Sequence, residues 1–141
     1  MAPPRVLIDT NVLISAVLRG GVPESILEAA RGGQLRGFVS LHILAEFRDV
    51  ITRPRFEVDL PLADALIEEI ASFCEVVAVE HASESWSVDP DDDPVVEAAL
   101  RARVDTVVTG DAHLLALDVR GVRFMRPAEL ARALRLAADA G

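Results

Sequence analysis

Short apolar runs alternate along this chain with amphipathic segments of about ten residues, and that rhythm restricts the fold more than any other feature. Residues 5–9, Arg-Val-Leu-Ile-Asp, form an apolar run closed by a carboxylate, and residues 10–18 place apolar side chains at Val12, Leu13, Ala16 and Val17. This predicts a buried strand followed by a helix. The pair Gly20 and Gly21 breaks that helix, and a second is predicted over 23–31, ended by Gly32 and Gly33. A second strand is predicted over 37–40, with Ser40 capping a helix that runs to Arg53 and stops at Pro54. On this third helix Ile43, Leu44, Phe47, Val50 and Ile51 fall within about 120° of one another, with Glu46 at the edge of the stripe and Asp49 opposite it. A helix over 62–73, a strand over 75–79 and a polar loop over 81–92 follow. Asp93 and Pro94 then open a helix to about 103, as cap and first helical residue. A strand over 105–109, a short helix through 117, a strand over 122–124 and a last helix over 127–137 complete the pattern. Strands joined by helices of this length need crossover connections. The predicted class is therefore α/β: a three-layer α/β/α sandwich around a mainly parallel sheet of about five strands.

The 141 residues suit one domain over 1–141, with a core over about 5–130 and a C-terminal tail. Half the residues are hydrophobic (51%), which excludes disorder, and the single Cys74 has no partner for an internal disulfide. The first residues lack a signal-peptide pattern, and no apolar stretch approaches the roughly 20 residues of a membrane span. The expectation is a cytoplasmic protein with no membrane role. All 14 basic residues are Arg, so mechanisms that require Lys are excluded: a phosphate-cradling P-loop, a protein kinase, Schiff-base catalysis. With no Tyr, one Trp and a net charge of −9, the chain also lacks the aromatic platforms and basic groove of a general single-strand binder. If it contacts nucleic acid, something must offset the repulsion.

In parallel sheets ligands bind outside the carboxyl ends of the strands. Asp9 ends the first predicted strand, Asp93 starts the helix after the third, and Asp111 follows the fourth, so topology alone puts three carboxylates on one edge. Glu46 reaches that edge only if the third helix leans across it, since it lies about 9 Å along the axis from its cap. Carboxylates crowded in one pocket raise one another's pKa unless a cation sits among them. An all-oxygen donor set without His or Cys at zinc-like spacing suits Mg²⁺ or Mn²⁺, and such a site supports phosphodiester hydrolysis. Each acid has a plain structural role beside this one: Asp93 and Asp111 as helix caps, Glu46 as a solvated side chain, Asp9 as the acceptor in a turn. Asn11 and Ser15, four apart on the first helix, and Thr109 are candidate polar supports, or ordinary helix-end residues. Asp91 and Asp92 form a charge run with Asp93, and Asp92 is the possible substitute ligand. Candidate phosphate contacts are Arg48, Arg53 and Arg55, or Arg19, all equally readable as solvated cations near helix ends.

Four motifs in order carry a family resemblance: Val6-Leu-Ile-Asp9-Thr-Asn11, Glu46 within Leu44-Ala-Glu-Phe47, Asp89-Pro-Asp-Asp-Asp93 before an apolar helix, and Val108-Thr-Gly-Asp111. Over about residues 5–130 the chain resembles a PIN domain, and is most similar to the bacterial toxin components of toxin–antitoxin systems related to the VapC-like ribonucleases. The resemblance implies a sheet and acidic pocket similar to those of flap endonucleases, and metal-dependent cleavage of RNA. It implies that Asp9, Glu46, Asp93 and Asp111 hold the metal or support its ligands, with Asn11 and Thr109 as polar supports, and that the third helix inclines toward the pocket. An antitoxin that inserts a basic side chain, and a homodimer, are implied as partners. One position departs from the pattern: where many relatives carry another acid two residues after the last motif Asp, this chain has His113. That implies one tightly held metal and a second held only with substrate, unless His113 is simply an exposed helix residue. His42 and His81 have no partner inferable from the sequence.

Two other readings compete. A phosphatase of the haloacid dehalogenase type also places an Asp after its first strand, but needs a second Asp where this chain has Asn11, and a Lys. A receiver domain fails on the same Lys. A catalytically inactive PIN-like protein-binding domain would keep the fold and use its acids as caps; the intact motifs argue against it.

Overall fold

Val6, Leu7 and Ile8 are all fully buried, and because successive strand residues point to opposite faces, a strand buried at every position must be covered on both sides. A computed structural model, describing residues 2–82, 90 and 92–136, shows this strand, β1 (Arg5–Ile8), at the centre of a five-stranded sheet. The other strands are β2 (Arg36–Ser40), β3 (Cys74–Val77), β4 (Thr106–Val108) and β5 (Arg123–Met125). Every pairing is parallel, in the order β3-β2-β1-β4-β5. The helices that connect and flank them are α1 (Thr10–Arg19), α2 (Gly21–Arg31), α3 (Leu41–Ile51), α4 (Leu60–Phe73), α5 (Asp93–Ala102), α6 (Ala112–Leu115) and α7 (Pro127–Ala133). The α/β sandwich is therefore the one expected. Phe38, Phe47, Leu7, Ile8 and Leu13 are the largest side chains of its single buried cluster.

The element boundaries depart from expectation for local reasons. The break between α1 and α2 falls at Gly20 (φ +70°) and Gly21 (φ +66°), a left-handed pair that side chains disfavour, and α2 starts there rather than at residue 23. Helix α3 ends at Ile51, because Arg53, constrained by Pro54, is extended (φ −61°, ψ 139°). Helix α4 starts at Leu60 because the Asp59 carboxylate accepts the Leu62 N–H at 2.9 Å. Strand β3 stops at Val77, opposite the end of β2 at Ser40, and the carbonyl of Val79 instead accepts the His42 N–H at the start of α3. Helix α5 begins with Asp93 itself, so Asp92, not Asp93, occupies the cap position, and the Asp92 side chain makes no capping bond. Helix α7 ends at Ala133, short of the expected 137, and most of the predicted loop over 81–92 lies outside the described residues. Close approach marks one more position. A Cβ on Gly37 would lie 2.8 Å from the Cys74 sulfur and 3.1 Å from the Ala30 Cβ.

The strand order positions the site. From β1 the chain steps to β2 and β3 on one side, then returns to β4 and β5 on the other. The order reverses between β1 and β4, and a crevice opens outside the carboxyl ends of the strands at such a reversal. No helix among the described residues is long and apolar enough to cross a membrane.

Candidate active site

Asp9 and Thr109 follow directly on β1 and β4, on the two sides of the reversal, and the Asp9 N–H continues the ladder to the Val108 carbonyl at 3.1 Å. Asp9 is also the N-cap of α1, its Oδ1 accepting the Thr10 N–H at 2.8 Å. Its Oδ2 accepts the Thr109 hydroxyl at 2.8 Å and the Asn11 Nδ2 at 3.0 Å. The Thr109 Oγ1 accepts in turn from the Asp111 N–H at 3.0 Å and from Asn11 Nδ2 at 3.3 Å, while Asn11 Oδ1 accepts the Gly110 N–H at 2.8 Å. Three side chains thus stitch the end of β1 to the end of β4. Asp111 caps α6, its Oδ1 accepting the His113 N–H at 2.8 Å.

A cavity of about 460 Å³ opens at this point, and Asp9, Asn11, Ser15, Glu46, Asp92 and Asp111 supply its polar lining. Thr10, Ile14, Val50 and Val95 complete the wall, so no basic side chain among the described residues lines it. Burial pushes the Asp9 carboxyl above the ordinary carboxylate range. The Thr109 hydroxyl and Thr10 amide oppose that rise, and the charges of Glu46 and Asp111 add to it. Glu46 is exposed, and α3 packs against α1 so that it reaches the cavity rim. That inclination cannot be read from helical periodicity.

Of the residues marked in the sequence, Asp9, Asn11, Ser15, Glu46 and Asp111 line one cavity, and Thr109 sits fully buried behind Asp9. Asp93 does not line it; Asp92, held in reserve as a substitute, does. Adjacent residues at a helix start point about 100° apart, so moving the start by one residue exchanges which Asp faces the crevice. Arg48 pairs with Asp64 at 2.7 Å, Arg53 lies 3.7 Å from Asp49, and Arg55 stacks on Phe56, so these arginines are occupied locally and do not line the cavity. His113, 78% exposed, has Nδ1 3.7 Å from Asp111 Oδ1. Asp92, Asp111 and His113 each offer one ligand atom within 4.8 Å of the others.

The donor set fits a divalent cation. Buried and half-buried carboxylates converge with no cationic side chain among them, and the Asp9 carboxyl is raised partly by its neighbours' negative charge, a cost that a metal ion removes.

A parallel sheet with acids gathered where its strand order reverses defines a class of α/β proteins whose ligand crevice lies outside the carboxyl ends of the strands. Within that class, residues 5–113 match the family model described as PIN domain, and the chain belongs to the PIN domain family, a family of nucleases that use divalent metal ions. No curated protein sequence matches it significantly. Among solved structures it is similar to VapBC2 from Rickettsia felis bound to a DNA fragment from their promoter. The TM-score there is 0.61 at 12% identity, covering 86% of this chain and 98% of that one. It is also similar to the PIN domain endonuclease Utp24, at TM-score 0.47 and 19% identity, over 78% of this chain and 73% of that one.

Proposed function

We propose that this protein is a metal-dependent endoribonuclease, the toxin of a toxin–antitoxin pair, that hydrolyses RNA phosphodiester bonds with Mg²⁺ or Mn²⁺ held by Asp9, Asp92 and Asp111 and by Glu46 on the rim. The observation that carries this reading is the cavity at the β1/β4 reversal, walled among the described residues by four carboxylates and by no Arg. When bound, the ion supplies Lewis-acid polarisation of the phosphoryl oxygen and an activated water. The protein's own groups do the positioning. Asn11 and Thr109 fix the Asp9 carboxylate from two directions, which leaves little freedom for it to turn when a cation arrives. Thr109 also ties the Asp111 backbone to Asp9, so the two acids keep their spacing. Glu46 closes the ring of charge from α3, and Ser15 offers a hydroxyl on the same wall for a substrate oxygen. Asp93, whose side chain lies outside the cavity lining, takes no part in this scheme.

The likeness to a VapBC2 complex supports an antitoxin partner for this chain, whose natural contact is a basic side chain placed among the acids. A homodimer and a cytoplasmic setting complete the proposal. RNA is held chiefly through the metal, since the net charge of −9 opposes a phosphate backbone and Arg48 and Arg53 are paired with Asp64 and Asp49.

The test is cleavage of a mixed RNA pool by purified protein with and without Mn²⁺, beside folded Asp9→Asn and Asp111→Asn variants. Metal-dependent cutting that both variants lose supports the assignment. If folded wild type cuts nothing and gains no thermal stability from Mn²⁺ or Mg²⁺, the acids are caps and the chain is a binding domain.

A further inference from the structure

We propose that Asp92, Asp111 and His113 form a second cation position, one that prefers ions with affinity for imidazole, of the Mn²⁺, Co²⁺ or Zn²⁺ class, over Mg²⁺. This deepens the nuclease reading and rests on it. The three residues come from different parts of the fold: Asp92 from the turn into α5, Asp111 from the end of β4, His113 from the first turn of α6. Their ligand atoms nevertheless lie within 4.8 Å of one another. Two ligands on opposite sides of one ion at about 2.1 Å are about 4.2 Å apart, and adjacent ligands about 3 Å. The group is therefore near coordination spacing, and the exposed imidazole closes the remaining gap by rotating about its own side-chain bonds.

The Asp111–His113 spacing is set by the backbone. The His113 N–H donates to Asp111 Oδ1 at 2.8 Å, and the His113 ring nitrogen stands 3.7 Å from that same oxygen. Asp92 and Asp111 both line the acidic cavity that also contains Asp9, whereas His113 lies outside that lining. The two carboxylates are thus shared between an inner, all-oxygen group with Asp9 and an outer group that includes a nitrogen. Donor chemistry separates the two. Mg²⁺ takes oxygen ligands and gives up its waters reluctantly, so the imidazole adds little to its binding. Along the first transition series affinity for nitrogen-containing sites rises, so the same imidazole favours Mn²⁺ and more strongly Co²⁺ or Zn²⁺. Replacing an acid by His at this position converts a charge-selected site into one selected by ligand type.

The experiment is calorimetric titration of metal-free full-length protein with Mn²⁺ and separately with Mg²⁺, comparing wild type, His113→Ala, His113→Asp and Asp9→Asn. Long-range imidazole nitrogen NMR during Zn²⁺ addition provides a second readout. Wild type is expected to bind Mn²⁺ at two positions. His113→Ala should weaken the outer one about tenfold or more, since even the loss of an indirect support to a ligand costs that much, while Mg²⁺ affinity stays within about twofold. His113→Asp should narrow the gap between the two ions, and Zn²⁺ should shift the His113 ring nitrogen ahead of those of His42 and His81. His113 is exposed, so its variants should fold, and their metal-free melting checks that. Wild-type Mn²⁺ affinity and Mn²⁺/Mg²⁺ preference in His113→Ala, with an unmoved ring nitrogen, would overturn the outer position. The nuclease reading would still stand in that case if Asp9→Asn lost its metal. Absence of any divalent binding by wild type would overturn both.

Discussion

The fully buried Thr109 hydroxyl donates to Asp9 and accepts from the Asp111 N–H and Asn11 Nδ2, and Thr109→Val measures what those bonds contribute. Valine matches its shape, so the substitution removes hydrogen bonds without leaving a cavity. One lost bond is the donation to Asp9 Oδ2 at 2.8 Å, and a hydrogen bond to a charged group is worth about 1.5–3 kcal/mol. The Asp111 N–H loses its acceptor at 3.0 Å, whereas Asn11 Nδ2 keeps its bond to Asp9. Together these give a destabilisation of about 2–4 kcal/mol. A chain of 141 residues unfolds with an entropy near 0.3 kcal/mol/K, so the midpoint should fall by about 7–13 °C in metal-free buffer at pH 7.5. The loss should also depend on pH. Asp9 titrates above its unfolded value of 3.8, so the folded state holds the proton more tightly and metal-free stability falls as pH rises through the folded pKa. Thr109 opposes that upward shift, and removing it shifts Asp9 higher still. The gap between the two proteins should therefore be widest above the Asp9 titration and narrower at pH 4.5. The assay is thermal denaturation by circular dichroism at both pH values, with Thr109→Ser as the variant that keeps the hydroxyl. A midpoint within about 2 °C of wild type at pH 7.5, or an equal loss at both pH values, would refute the reasoning.

Three further outcomes are expected. Saturating Mn²⁺ should flatten the fall in stability with rising pH, because an ion beside the Asp9 carboxylate takes the place of the proton; a slope unchanged by Mn²⁺ in wild type would count against metal binding there. Gly37→Ala should cost about 1–3 kcal/mol by driving a methyl group against the Cys74 sulfur, and Cys74→Ala should recover part of that loss, so additive losses in the double variant would contradict the packing read from the 2.8 Å approach. Burial pushes the Cys74 thiol up to about 12, so iodoacetamide should leave it unmodified in native protein at pH 8 and label it once the chain is unfolded, as mass spectrometry would show.

Much of this molecule is legible from its residues because the informative contacts are local or periodic. Apolar runs closed by Asp9 and by Thr109 mark strand ends, Ser40 caps α3 through the Ile43 N–H at 3.0 Å, and the alternation dictates a parallel sheet. Where the sequence leaves a choice open, the deciding contact lies elsewhere in the chain. Three consecutive aspartates, residues 91–93, offer equivalent side chains, and only the start of α5 selects Asp92 for the crevice. Glu46 lines the cavity because α3 packs against α1, a tertiary contact that spacing along the chain does not carry. His113 has Asp111 as a local neighbour, but gains Asp92 only through the tertiary fold. Arg48 and Arg53 sit near a helix end, and their pairing with Asp64 and Asp49 depends on contacts that a position near a helix end does not reveal.

The stitch between β1 and β4 also bears on when such an enzyme becomes active during its own synthesis. Asp9 and Thr109 are 100 residues apart, and the sheet inserts β4 directly beside β1 after β2 and β3 have been made. A chain still emerging from the ribosome can pair β1 with β2, yet it presents Asp9 without Asp111 until residue 111 has been made. Long-range closure of this kind is also the slow part of folding. A chain that stops before residue 111 therefore carries Asp9, Glu46 and Asp92 but neither Asp111 nor a complete acidic cavity.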